Sequence, residues 1–139
     1  MALFHKLLIQ DIQKETHNAV TISFHIPNTL KDQYQFKAGQ YVTLKTTIDN
    51  IEVRRDYSIC TSPSSKTLKV GIKEITDGFF SHHANHNLKT GDSLEVSCPK
   101  GRFTFDNNSD AKNILLFAAG SGITPITVSY THLTLPTIA

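Results

Sequence analysis

Val20-Thr21-Ile22-Ser23-Phe24-His25-Ile26 alternates apolar and polar positions, and Pro27 ends the run. That alternation predicts a strand with one buried and one wet face. Shorter versions of the pattern recur at Leu7-Leu8-Ile9-Gln10-Asp11-Ile12, at Tyr41-Val42-Thr43-Leu44-Lys45 and at Arg54-Arg55-Asp56-Tyr57-Ser58-Ile59-Cys60. They return at Thr67-Leu68-Lys69-Val70-Gly71-Ile72-Lys73 and at Ser93-Leu94-Glu95-Val96-Ser97-Cys98. Polar turn residues lie between the runs: Lys14 to Asn18, the Asp49-Asn50 pair, Thr61 to Ser65, and Gly91-Asp92. The stretch from Leu30 to Lys37 reads as a loop. Phe79-Phe80-Ser81-His82-His83-Ala84-Asn85 reads as a short helix, with Asp77 as its cap. Six antiparallel strands and one helix predict a mainly β chain, a small Greek-key barrel.

The pattern changes after the polar link Asn107-Asn108-Ser109-Asp110. Asn113-Ile114-Leu115-Leu116-Phe117-Ala118-Ala119 is a near-continuous apolar run, which predicts a parallel strand covered on both faces. Gly120-Ser121-Gly122 follows at once, as where a strand runs into the glycine loop of a dinucleotide-binding α/β unit. The expected division is a barrel over 1–106, the start of a second domain over 107–128, and a tail over 129–139. The tail is rich in Thr and contains Pro136, which suits neither a long helix nor a second domain. It resembles the translation of sequencing-adapter read-through. Residues from about Ser129 onward are therefore expected to be non-native, and the second domain truncated.

Composition narrows the function classes. The 139 residues are 19% charged and 39% apolar, as in an ordinary globular chain. Fourteen basic and twelve acidic residues are spread without runs, which argues against a nucleic-acid or polybasic membrane surface. No apolar stretch approaches the roughly 18 residues of a spanning helix, and no signal peptide is visible, so the cytoplasm is expected. Cys60 and Cys98 stand alone, without iron–sulfur spacing.

The candidate chemistry gathers on the fourth strand. There a fixed cation (Arg55), an aromatic face (Tyr57) and a small hydroxyl (Ser58) fall within about 10 Å of chain. Arg offers a rigid fork to phosphate oxygens, and a Tyr face can stack on a planar heterocycle. The same trio could equally be a solvated Arg, a cross-strand Tyr and a neutral Ser. Gly78 and Ser81 open the predicted helix, whose free N–H groups and positive dipole end suit an anion. An ordinary helix entry would use the same residues.

Three motifs in order change that balance. Arg55-Asp56-Tyr57-Ser58 resembles the R-x-Y-S flavin motif of the ferredoxin–NADP reductase superfamily. Gly78-Phe79-Phe80-Ser81 resembles its G-x-x-S phosphate motif, and Gly120-Ser121-Gly122-Ile123-Thr124-Pro125 its nicotinamide-binding G-x-G-x-x-P loop. Gly39-Gln40-Tyr41-Val42 and Pro99-Lys100-Gly101-Arg102-Phe103 resemble further family turns. The opening residues look most like reductase components of the phenylacetyl-CoA epoxidase type, and the likeness runs from about residue 3 to residue 128.

The resemblance implies an FAD-binding barrel followed by the first strand of a nicotinamide-binding domain. It implies electrons passing from NAD(P)H through FAD to an iron–sulfur domain or an oxygenase component, with a [2Fe–2S] cluster only in a domain this chain lacks. Arg55 is expected on the pyrophosphate, Tyr57 on the flavin or its ribityl chain, and Ser58 near the reactive ring nitrogen, with Asp56 inside the motif. Val70, Ile72 and Lys73 are expected beside the adenosine, and Gly78, Phe79, Phe80 and Ser81 at the phosphates. Gly120, Gly122, Thr124 and Pro125 are expected to meet the nicotinamide cofactor. No acid–base catalyst is expected. Two alternatives stay open: a flavin-binding module without turnover, and a barrel that binds no flavin. His82 and His86 could share a helix face, but no third ligand is evident and no metal is expected.

Overall fold

The computed structural model describes residues 3–105, 113 and 115–134. All six expected strands form, and all their pairings are antiparallel. They are β1 (Phe4–Thr16), β2 (Ala19–Phe24), β3 (Tyr41–Ile48), β4 (Ile51–Ser58), β5 (Leu68–Lys73) and β6 (Ser93–Ser97), in the sheet order β4-β3-β6-β1-β2-β5. The two edges of that sheet meet at an Ile59–Val70 bridge, where the Cys60 N–H also donates to the Lys69 carbonyl at 2.9 Å. The sheet therefore curls nearly closed, and a barrel rather than an open sheet results.

The alternation explains what fills it. Ile22, Val42, Leu44, Val70, Ile72 and Val96 are fully buried, and the residues between them along each strand point to the other face of the sheet. β1 is longer than its apolar pattern suggested because it serves both halves of the barrel. Phe4 to Leu8 pair with β6, and Ile9 to Thr16 pair with β2. The register shifts between Ile9 and Asp11, a bulge that lets one strand bend from one set of partners to the other.

The expected loop over 30–37 overlaps a 3-10 helix, Asn28–Tyr34, that packs Leu30 and Tyr34 against the core. Its last residue is a plug. Tyr34 is buried and its hydroxyl donates to the Val96 carbonyl at 2.6 Å. Burial pushes the phenol well above its ordinary pKa, so it remains a neutral donor. Two of the family-like turns dock on each other nearby. Gly39 has φ +99°, and a Cβ there would fall on the Phe103 carbonyl oxygen. Both conformation and space therefore demand glycine.

Two expectations need correction beyond the barrel. Residues 115–119 form no regular element, and Leu115 and Phe117 are 79% and 80% exposed. A parallel strand exists only beside another strand, and among the described residues none lies there. Ile114, the link 107–110 and the tail end 135–139 lie outside the described residues. The tail also forms more helix than its composition suggested. A 3-10 turn, Gly120–Gly122, leads into α2 (Ile123–Thr134), with α1 (Phe79–His86) as the helix before it. Pro125 falls in the first turn of α2, where its missing N–H has no partner to lose, and Thr propensity is a weak prior. Val128 and Ser129 are buried.

Candidate functional site

β4 carries the Arg-x-Tyr-Ser segment along one edge of the curled sheet. Val53, Arg55, Tyr57 and Ile59 share one face, and Arg54, Asp56 and Ser58 share the other. Val53 and Ile59 are buried in the core, which fixes the direction of the two functional side chains between them. The two neighbouring arginines have different surroundings. Arg54 is paired with Glu52 at 2.9 Å and lies over the Phe4 ring. Arg55 is exposed, donates from Nη1 to the Arg54 carbonyl at 2.7 Å, and has no carboxylate partner among the described residues. Its charge is free to meet an anion.

Tyr57 is half-buried against Phe80, with ring centroids 5.8 Å apart and planes inclined by 36°. Burial pushes its phenol up, and the Arg55 cation works against that shift. The tyrosine therefore presents an uncharged ring beside a fixed positive charge.

α1 meets this strand through Phe80, which is 1% exposed and belongs to the core. Asn85 fixes the helix to β5 and to itself, its Nδ2 donating to the carbonyls of Ile72 (3.2 Å) and Ser81 (2.9 Å). The cap differs from expectation: it is Gly78, with no side-chain hydrogen bond, and Asp77 takes a left-handed conformation at φ +61°. The N–H groups of Phe79, Phe80 and Ser81 consequently have no acceptor in the helix itself. The buried Ser81 hydroxyl is turned inward, accepting from the Ile75 N–H (3.2 Å) and donating to the Gly78 carbonyl (3.3 Å). It holds the turn that presents those N–H groups. A Cβ on Gly78 would overlap Ser81 Oγ and Ile75, so this turn has no room for a side chain.

Strand edge and helix start open onto one cavity of about 730 Å³. That lies within the range of roughly 300–1,000 Å³ typical of cofactor sites. It brings together Arg55, Tyr57, Ile72, Lys73 and the whole segment Gly78 to Ser81, and it also receives Gly120 and Thr124. Asp56 is instead on the other face of β4, accepting from the Thr43 hydroxyl at 2.6 Å. Ser58, Gly122 and Pro125 are not part of the lining. Val70 is buried in the core and is not part of the lining.

The lining also includes residues that sequence reasoning missed, among them Glu15, Thr21 and Gly71. Thr21 pairs with Gly71 across β2 and β5, and its hydroxyl donates to Glu15 at 2.8 Å. The space a Cβ would take at Gly71 is open, and it faces the cavity. Cross-strand register, which an isolated sequence does not give, is the signal that would have found these positions.

The fit to a dinucleotide flavin rests on the donor set: an unpaired guanidinium, uncapped helix N–H groups, an uncharged aromatic face and an open glycine floor. Among the residues lining the cavity Glu15 carries the one carboxylate, and the Thr21 hydroxyl already engages it. The residues present suit FAD.

Comparisons with known proteins agree. Residues 6–105 match the model of the oxidoreductase FAD-binding domain. The chain is 41% identical over 127 residues to a component of the 1,2-phenylacetyl-CoA epoxidase of Escherichia coli, a match over 91% of this chain and 36% of that protein. A ferredoxin NADP+ reductase of Neisseria gonorrhoeae, solved with bound FAD and NADP, superimposes with a TM-score of 0.77 at 26% identity, over 97% of this chain and 52% of that one. Phthalate dioxygenase reductase, described as a modular structure for electron transfer from pyridine nucleotides to [2Fe–2S], gives 0.75 at 26% identity, over 96% and 40%. The chain spans about a third of the length of the curated relatives it matches.

Proposed function

The chain belongs to the oxidoreductase FAD-binding domain family, and on that premise we propose that it holds FAD for a reductase that draws electrons from NAD(P)H. One observation carries the assignment of the site: the unpaired Arg55 and the uncapped start of α1 open onto the same cavity as the face of Tyr57. Arg55 and the N–H groups of Phe79, Phe80 and Ser81 hold the pyrophosphate from two sides, as charge-assisted hydrogen bonds favour. Tyr57, braced by Phe80, gives the flavin or its ribityl chain an apolar wall that excludes water. Ile72 and Lys73 border the adenosine, and Gly120 and Thr124 approach the nicotinamide side.

Bound FAD would supply the redox chemistry between a hydride donor and a one-electron acceptor. The chain's own residues bind, orient and shield, and none exchanges a proton with substrate. The acceptor is an iron–sulfur centre, in a further domain or in an oxygenase component. The relatives support that reading, being a component of an epoxidase and the reductase of a dioxygenase. No helix among the described residues is long and apolar enough to cross a membrane.

The test is retention of FAD. The purified chain, mixed with excess FAD and freed of the unbound fraction, keeps close to one equivalent with a two-band flavin spectrum. A folded sample that retains none contradicts the proposal. NADH-dependent dye reduction by the loaded chain then separates a reductase from a flavin-binding module without turnover.

A further inference from the structure

On the exposed side of α1 three metal-ligating side chains converge. His82 and His86 lie one helical turn apart on one face, with ring centroids 4.3 Å apart. Sequence alone offered no third donor, but the fold brings one in from the connection after β5. Glu74 reaches back to the helix, with Oε2 2.7 Å from His82 Nδ1 and Oε1 2.8 Å from His86 Nε2. One donor atom from each residue lies within 4.8 Å of the other two.

We propose that Glu74, His82 and His86 form a binding site for a divalent transition-metal ion of the zinc, nickel or copper type. Two imidazoles and one carboxylate are the donors such borderline ions prefer over magnesium or calcium, which take oxygen. A tetrahedral ion with bonds of about 2.0–2.1 Å needs donors about 3.4 Å apart. The two short His–Glu contacts would open by about 0.6 Å, and the two imidazoles would draw around the same centre. The side chains are free enough to do so, at 61%, 45% and 24% exposed for His82, His86 and Glu74. Glu74 and His82 also line a second cavity, of about 840 Å³, which gives an ion a route in and leaves its remaining position to water.

The ion would join the end of β5 to the last turn of α1, across the segment that carries Asp77 in its left-handed conformation. Three ligands and an open fourth position resemble a catalytic rather than a closed structural site. The site is independent of the flavin reading, because none of its three residues contributes to the proposed FAD contacts.

The probe is Zn²⁺, titrated calorimetrically into the tag-free, chelator-stripped chain. One saturable equivalent is expected, with a rise in Tm of about 5–10 °C at a hundredfold excess over Kd. Glu74→Gln and His86→Gln each weaken binding at least 30-fold while the far-UV spectrum stays native. His83→Gln, on the same helix but outside the cluster, leaves it unchanged. Replacing Zn²⁺ by Co²⁺ gives a visible ligand-field band that His82→Gln abolishes. The proposal is overturned if no saturable binding occurs, or if His83→Gln weakens it as much as His86→Gln does.

Discussion

Arg55→Ala lowers the affinity of the chain for FAD by about 100-fold and leaves its thermal stability unchanged. The loss corresponds to about 2.7 kcal/mol. That is the scale expected when a forked, charge-assisted contact to phosphate is removed, since hydrogen bonds to charged groups contribute about 1.5–3 kcal/mol each. Stability is spared because Arg55 is exposed and contributes only a local bond to the Arg54 carbonyl. Arg54→Ala is the matched control. Its guanidinium is committed to Glu52 and Phe4 on the other face, so FAD affinity changes less than about threefold. Arg55→Lys recovers only part of the loss, because an ammonium keeps the charge but cannot fork. Titration of FAD fluorescence against each variant measures all three.

Phe80→Ala has the largest expected effect on stability. Phe80 is 1% exposed, sits among the core residues and supports the ring of Tyr57. Truncating a buried Phe costs about 3–5 kcal/mol through lost burial and the cavity left behind. For a chain of this size that lowers Tm by more than about 10 °C. Phe79, its neighbour in sequence, is 37% exposed and lines the cavity, so Phe79→Ala costs less than about 1 kcal/mol. Thermal melts followed by circular dichroism distinguish the two. Equal losses would mean that α1 is not anchored through Phe80.

The two arginines and two phenylalanines mark how far the sequence could be read. Period-two alternation located every strand, because a barrel wall has one buried face and local pattern reports it. Arg55, Tyr57 and the Gly78 to Ser81 turn could be found because their chemistry lies in short contiguous segments. What needed the fold was information carried between segments. Glu74 became the partner of His82 and His86 only once β5 and α1 were placed side by side. Thr21 and Gly71 reached the cavity only through the β2–β5 register. The Ser81 hydroxyl is the same kind of case: a phosphate ligand by motif, it is engaged by Ile75 and Gly78 in the folded turn. Residues 115–119 failed for a related reason, since an apolar run cannot be a parallel strand without a neighbouring strand.

The central claim is that Arg55 and the start of α1 recognise a pyrophosphate while Tyr57 supports the ring. Parallel titrations of the chain with FAD and with riboflavin, which lacks phosphate, test it most directly. FAD should saturate at one equivalent and bind at least about 100-fold more tightly than riboflavin, and Arg55→Ala should erase most of that gap. Equal affinities for the two flavins, or a gap that survives Arg55→Ala, would contradict the account.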